Sequence, residues 1–142
     1  MSISSFRGEY DFLSNMYPSP IIVKGIRLTC AESLFQMMKT KDPDERARFA
    51  NISGIEARRL GRSIKLRPDW LEIRVDVMKW VIHQKFRNPV LRQKLLDTGD
   101  NLLIEGNAWG DTFWGYCWKG QNMLGKILMA EREQIRKENA KC

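Results

Sequence analysis

The longest periodic stretch of the chain runs from Pro68 to about Phe86, where Leu71, Val75, Met78, Ile82 and Phe86 recur at steps of three and four. That period is the turn of an α-helix, and it gives the helix one apolar face that has to be buried on other elements. A chain built around such a helix is committed to a helix-rich core. At 142 residues it suits one domain, residues 1–142, with enough length to bury a real interior.

Further helix starts are written in local punctuation. Asp42-Pro43 and Asn88-Pro89 place proline at the first helical position, where its missing N–H does no harm. Ser53 with Glu56 matches a capping box, and Gly61 is positioned to close that helix. The helix after Asn88 is expected to reach Thr98-Gly99. A last one from about Asn122 turns Leu124, Ile127, Leu128 and Ile135 inward.

Strand signals are fewer. Ile21-Ile22-Val23 and Ile26-Arg27-Leu28-Thr29 flank Lys24-Gly25 and read as a hairpin, and Asn101–Glu105 reads as a short strand. Phe6 to Pro20 favours turns and irregular backbone over helix, and Gly106 to Gly120 is a loop dense in Trp, Gly and Asp. The fold class is therefore α+β, a single α-rich domain with a small hairpin or sheet.

The composition, 43% hydrophobic and 29% charged, is that of an ordinary globular protein. No apolar run approaches a membrane span and Met1–Phe6 lacks a leader-like apolar core, so the cytoplasm is the expected location. Cys30, Cys117 and Cys142 are an odd, widely spaced set that argues against a disulfide framework. The lone His83 and the absence of paired Cys or His leave no metal-ligand spacing, so neither metal nor cofactor is expected. The net charge of +7 points to polyanions or phosphorylated small molecules. Arg58, Arg59, Arg62, Lys65 and Arg67 concentrate that charge, either as a phosphate or nucleic-acid site or as a solvated face.

Two segments carry candidate chemistry. In a helix beginning near Ala31, Glu32, Gln36 and Lys39 fall at i, i+4 and i+7 and stack on one face among Leu34, Phe35, Met37 and Met38. Such a polar column in apolar surroundings can wall an active site, because low dielectric strengthens charge effects. Thr29-Cys30-Ala31-Glu32 also fits a capping box, and spacing alone favours that reading. In the aromatic loop, Asp111 is either a partly desolvated acid–base group or a turn stabiliser. Trp70 and Trp114 either offer a flat face to a heterocycle or fill core and loop. Gly120–Gly125 loosely resembles a phosphate loop ahead of a helix N-terminus that would welcome an anion.

Phe12-Leu13-Ser14-Asn15, Glu32 with Phe35-Gln36 and Lys39, Ala57–Arg62, Leu66–Trp70, Val77-Met78 and Lys85-Phe86 follow one another in order. Ile104-Glu105, Asp111–Gly115, Gly120–Gly125 and Leu128-Met129 complete the series. With this order and spacing the chain resembles the YbiA-like, or NADAR, family of N-glycosidases over nearly its whole length. The resemblance implies cleavage of a C–N bond between ribose and a base or aminopyrimidine. The expected partners are phosphorylated riboflavin-pathway intermediates or an ADP-ribosylated base, with nucleic acid as a carrier of that base, and no membrane or obligate protein partner. It implies catalytic importance for Glu32, Trp70 and Asp111, adds Lys39, and brings Ser14, Asn15, Gln36, Glu105 and Asn122 into substrate contact. In such a site Arg62 and Arg67 would hold phosphate, and Trp70 or Trp114 would stack on the ring. The competing class is a non-catalytic module that binds ADP-ribose or nucleic acid.

Overall fold

Lys24 and Gly25 both have positive φ, 49° and 80°, as a tight hairpin turn that matches strand twist requires. They join β2 (Pro18–Val23) to β3 (Ile26–Cys30) in antiparallel register, with Ile22 opposite Arg27 and Ile21 opposite Leu28. Ile21 and Leu28 face the core while Ile22 is exposed, the alternation a half-buried strand dictates. The hairpin begins three residues earlier than the apolar run suggests, with an irregularity between Pro18 and Ile21.

In this computed structural model, which describes residues 1–141, the chain forms two compact units. The central unit, Asn15–Lys85, holds the hairpin and four helices: α1 (Ala31–Met37), α2 (Pro43–Ala47), α3 (Gly54–Ser63) and α4 (Trp70–Lys85). Helix α1 is buried along its whole length and packs on α3, α4 and β3. The Asp42 side chain accepts from Asp44 N and opens α2 behind Pro43. The Ser53–Glu56 capping box opens α3 in both directions. Gly61 does not close that helix, which runs on to Ser63.

Helix α4 buries Trp70, Val77, Met78, Val81, Ile82 and Lys85. Leu71, expected inside, is 73% exposed, because the first turn meets the core through Trp70 instead. Lys85 is 1% exposed, with its Nζ 5.9 Å from the centre of the Tyr17 ring.

The terminal unit combines Met1–Ser14 with the chain from Phe86 onward. Its β1 (Ser2–Ile3) pairs in parallel with β4 (Leu102–Leu103), and a 3-10 helix spans Gly8–Leu13 where irregular backbone was expected. Asn88 caps α5 (Pro89–Asp97), accepting from Val90 and Leu91 N, and Gly99 follows at φ 63°. Helix α6 (Met123–Ala140) packs on α5 and β4 with the inner face the periodicity implies. Arg132 takes one inward position, donating to Thr98 Oγ1 at 2.9 Å. No helix among the described residues is long and apolar enough to cross a membrane. Cys30 and Cys117 are free thiols; Cys142 lies outside the described residues.

Candidate active site

Helix α1 begins one residue later than a Thr29 cap would require. Cys30 is its extended N-cap and its side chain makes no capping bond to the helix N–H groups, and Thr29 Oγ1 instead donates to Ile52 O at 2.7 Å. Glu32 is thus at the second helical position rather than the third, and the capping box does not form. Its backbone N–H donates to Asn15 O at 2.9 Å. Its side chain, 10% exposed, receives Gln36 Nε2 at 3.0 Å and Arg58 Nε at 3.3 Å, both on Oε1. Among the described residues, the buried side-chain atoms sealed from solvent without a partner are Asn15 Oδ1, Gln36 Oε1 and Arg132 Nε. Glu32 Oε2, which no donor reaches, is therefore open.

The polar column bends away at its end. Helix α1 stops at Met37, and Lys39 follows the C-cap in a turn, its N–H on Gln36 O and its carbonyl accepting from Arg67 N at 2.8 Å. Lys39 is half-buried. Burial pushes its ammonium pKa below 10.5; Glu32 pulls it back up, and Arg62 and Arg58 push it further down. Glu32, Lys39, Arg58 and Arg62 thus form one electrostatic cluster. Arg58, which the sequence flags only as part of a basic run, is the residue that grips the carboxylate, 26 positions away in the chain.

Other expected contacts are already engaged. Arg67 forks onto Asp69 at 2.7 and 3.2 Å and reaches Met38 O at 3.4 Å. That bonding to Arg67 holds the Asp69 carboxyl below its usual value. Arg67 thus braces the turn beside Lys39, leaving the exposed Arg62 as the freer cation. Trp70 is buried with its ring 5.1 Å from Phe35 at 58°, a core packing rather than an open stacking face. The Asn15 side chain donates to Met78 Sδ at 3.5 Å, and its Oδ1 has no partner among the described residues.

The aromatic loop belongs to the terminal unit. Asp111 Oδ1 accepts from Phe113 N at 3.1 Å and Trp114 N at 2.9 Å, the turn-stabilising pattern of an Asx motif. Asn107, absent from the sequence expectation, clamps the same residue from both sides, accepting from Asp111 N and donating to Asp111 O. Trp114 is half-buried and meets Phe113 edge-on at 4.8 Å. The Asn122 side chain accepts from Glu105 N and donates to Leu103 O, both at 2.9 Å, and so ties β4 to the start of α6. The anion cradle expected at Gly120–Gly125 does not form, because Met123 and Leu124 N–H donate to Phe113 and Trp114 carbonyls. Ser14 closes the 3-10 helix, its N–H on Asp11 O at 2.9 Å. A cavity of about 410 Å³ in this unit, walled by Ser4, Arg7, Tyr10 and Asn101 among others, contains none of these residues. No group of three His, Cys, Asp or Glu among the described residues is placed to hold a metal.

A buried carboxylate with one anchored and one open oxygen, coupled electrostatically to a lysine and two arginines, forms a carboxylate-centred polar cluster in the central unit. The chain belongs to the NADAR domain family, whose model matches residues 4–136. It is 35% identical over 133 residues to the N-glycosidase YbiA of Escherichia coli, covering 89% of this chain and 82% of that protein. An N-glycosidase of Nostoc punctiforme is 35% identical over 137 residues, at 89% and 86% coverage. A riboflavin biosynthesis protein of Vibrio vulnificus is 36% identical over 133 residues, and there the chain spans 36% of the relative's length. The NMR structure of E. coli YbiA superposes with a TM-score of 0.87 at 32% identity, covering all of this chain and 88% of the other.

Proposed function

We propose that this chain is an N-glycosidase that hydrolyses the bond between a ribosyl carbon and the nitrogen of a base or aminopyrimidine in a phosphorylated substrate. The observation that carries it is Glu32: one oxygen is held by Gln36 and Arg58 and the other is open, in a cluster where Glu32, Arg58 and Arg62 all act electrostatically on Lys39. The names of the relatives support the same class.

N-glycoside cleavage builds positive charge on the sugar and negative charge on the departing nitrogen. Glu32 stabilises the sugar cation, water supplies the new C–O bond, and the leaving nitrogen departs with a proton. Asp111, in the terminal unit, keeps Oδ2 unbonded among the described residues while Oδ1 holds its turn, and an acid–base role is proposed for it on that ground. Arg62 and Arg58 attract the phosphate. Lys39 offers a second route: as the free amine it attacks C1 of the opened sugar, the base or aminopyrimidine leaves C1 as its protonated amine, and the resulting Schiff base is hydrolysed by water to free sugar and lysine. The cytoplasm is the proposed location.

The purified protein is incubated with a phosphorylated ribosylaminopyrimidine of the riboflavin pathway and, separately, with guanine-linked ADP-ribose, and products are read by mass spectrometry. Release of free aminopyrimidine or guanine is expected from one of them. Saturable binding of both without product would replace the enzyme with a binding module.

A further inference from the structure

A glycine in a helix interior is unfavourable, since it restricts the most flexible backbone and packs nothing. Gly61 nevertheless sits inside α3, buried. A Cβ placed there would run into Gln36 Oε1, with Gln36 Cδ 2.9 Å away, so the carboxamide lies directly on the glycine α-carbon. The amide's orientation is set from its other end. Gln36 Nε2 donates to Glu32 Oε1, and the flipped amide would put two acceptors together. Its oxygen is consequently left with no N–H or O–H partner, sealed against α3.

We propose that Gly61 and Gln36 form a positioning pair for Glu32. The gap at Gly61 seats the carboxamide, the carboxamide loads Oε1, and Oε2 becomes the single oxygen presented to the reacting sugar. Gln36 then acts through Glu32 rather than by touching substrate, a different role from the substrate contact the family resemblance implies. The proposal rests on Glu32 being the reacting carboxylate.

Three variants test the kinetics, with Glu32→Ala added for the spectroscopy: Gly61→Ala, Gln36→Ala, and the double variant of those two, in which the shortened side chain makes room for the new methyl. In wild-type protein the side-chain NH₂ pair of Gln36, read by ¹⁵N NMR, is expected away from the free-glutamine position. It should move to that position in Gly61→Ala and in Glu32→Ala. On the substrate that wild type cleaves, each single variant should lose roughly tenfold or more in kcat with KM changed less than about twofold. The double variant should be no slower than the worse single one, because both changes cut the same link. Losses that multiply in the double variant, or unchanged kcat in Gly61→Ala, would overturn the pair. So would Gln36 signals at the free position in wild type. Should Gly61→Ala fail to fold, Gln36→Ala and the double variant carry the kinetic comparison. Absence of turnover in wild type would instead sink the glycosidase reading, and the NMR comparison would still decide the pairing.

Discussion

Glu32→Gln keeps the shape of the side chain and removes its charge, so turnover should fall by about two orders of magnitude or more while the melting temperature holds. A lowered melting temperature with activity per folded molecule intact would assign Glu32 to structure alone. Asp111 calls for a different pair. Asp111→Asn keeps an acceptor for Phe113 and Trp114 N–H and should fold normally with reduced kcat, whereas Asp111→Ala should lose about 1–2 kcal/mol of stability in denaturant titration. Arg62→Ala should weaken phosphorylated substrate more than its dephosphorylated counterpart. Arg67→Ala should lower stability instead, because its guanidinium is engaged by Asp69 and Met38 O. Lys39 adds a pH signature. Its folded pKa lies below 10.5, so the unfolded chain binds more protons between the two values. Stability should therefore rise as pH climbs through that window, and Lys39→Met should flatten the slope in denaturation curves. The Glu32–Gln36 contact was legible because helical spacing pairs the two residues, whereas Lys39 lies beyond the helix end and that spacing does not reach it. Arg58 was not legible, since no local pattern says which of five cations will reach the carboxylate.

Helix α3 presents Arg58, Gly61 and Arg62 to this site, and its start is set by a local device. Ser53→Ala should cost about 1 kcal/mol by chemical denaturation, through loss of the bond to Glu56 N. Caps of this kind, at Asp42, Ser53 and Asn88, are readable because all their atoms lie within a few residues. Features that depend on distant partners were not. Gly61 has the signature of a helix stop, yet its cause is a side chain on α1. The Thr29 cap failed because Ile52 O, from a remote loop, captured the hydroxyl. The two-residue β1 has meaning only beside β4. On α6 an arginine occupies an inward slot that apolar counting skips, and burial depresses the pKa of that Arg132.

Across the whole molecule, the formal charge of +7 should draw phosphorylated ligands at long range. KM for a phosphorylated substrate should accordingly rise with ionic strength, and kcat should change little. A constant KM from low to high salt would confine recognition to short-range contacts. Turnover should persist after prolonged chelation, since glycosidic bonds can be cleaved by carboxylates without a metal. Loss of turnover restored by Mg²⁺ alone would move Glu32 from acting on the sugar to metal holding. The fold class was legible from helix periods and one hairpin, but the grouping into two units was not, because the chain's two ends converge only through long-range pairing.

That convergence has a consequence for how the protein is made. Residues 15–85 emerge from the ribosome as one uninterrupted stretch, so the unit carrying Glu32, Lys39 and Arg58 is fully synthesised first. Ser2, by contrast, has to wait for Leu102, its partner in the parallel pair. Until then Ile3, Phe6, Phe12 and Leu13, all buried in the finished protein, lack the later and larger part of their own unit. Apolar segments left uncovered during synthesis are where holding chaperones bind and where aggregation begins. A nascent chain halted before residue 86 is added should accordingly be captured through residues 1–14.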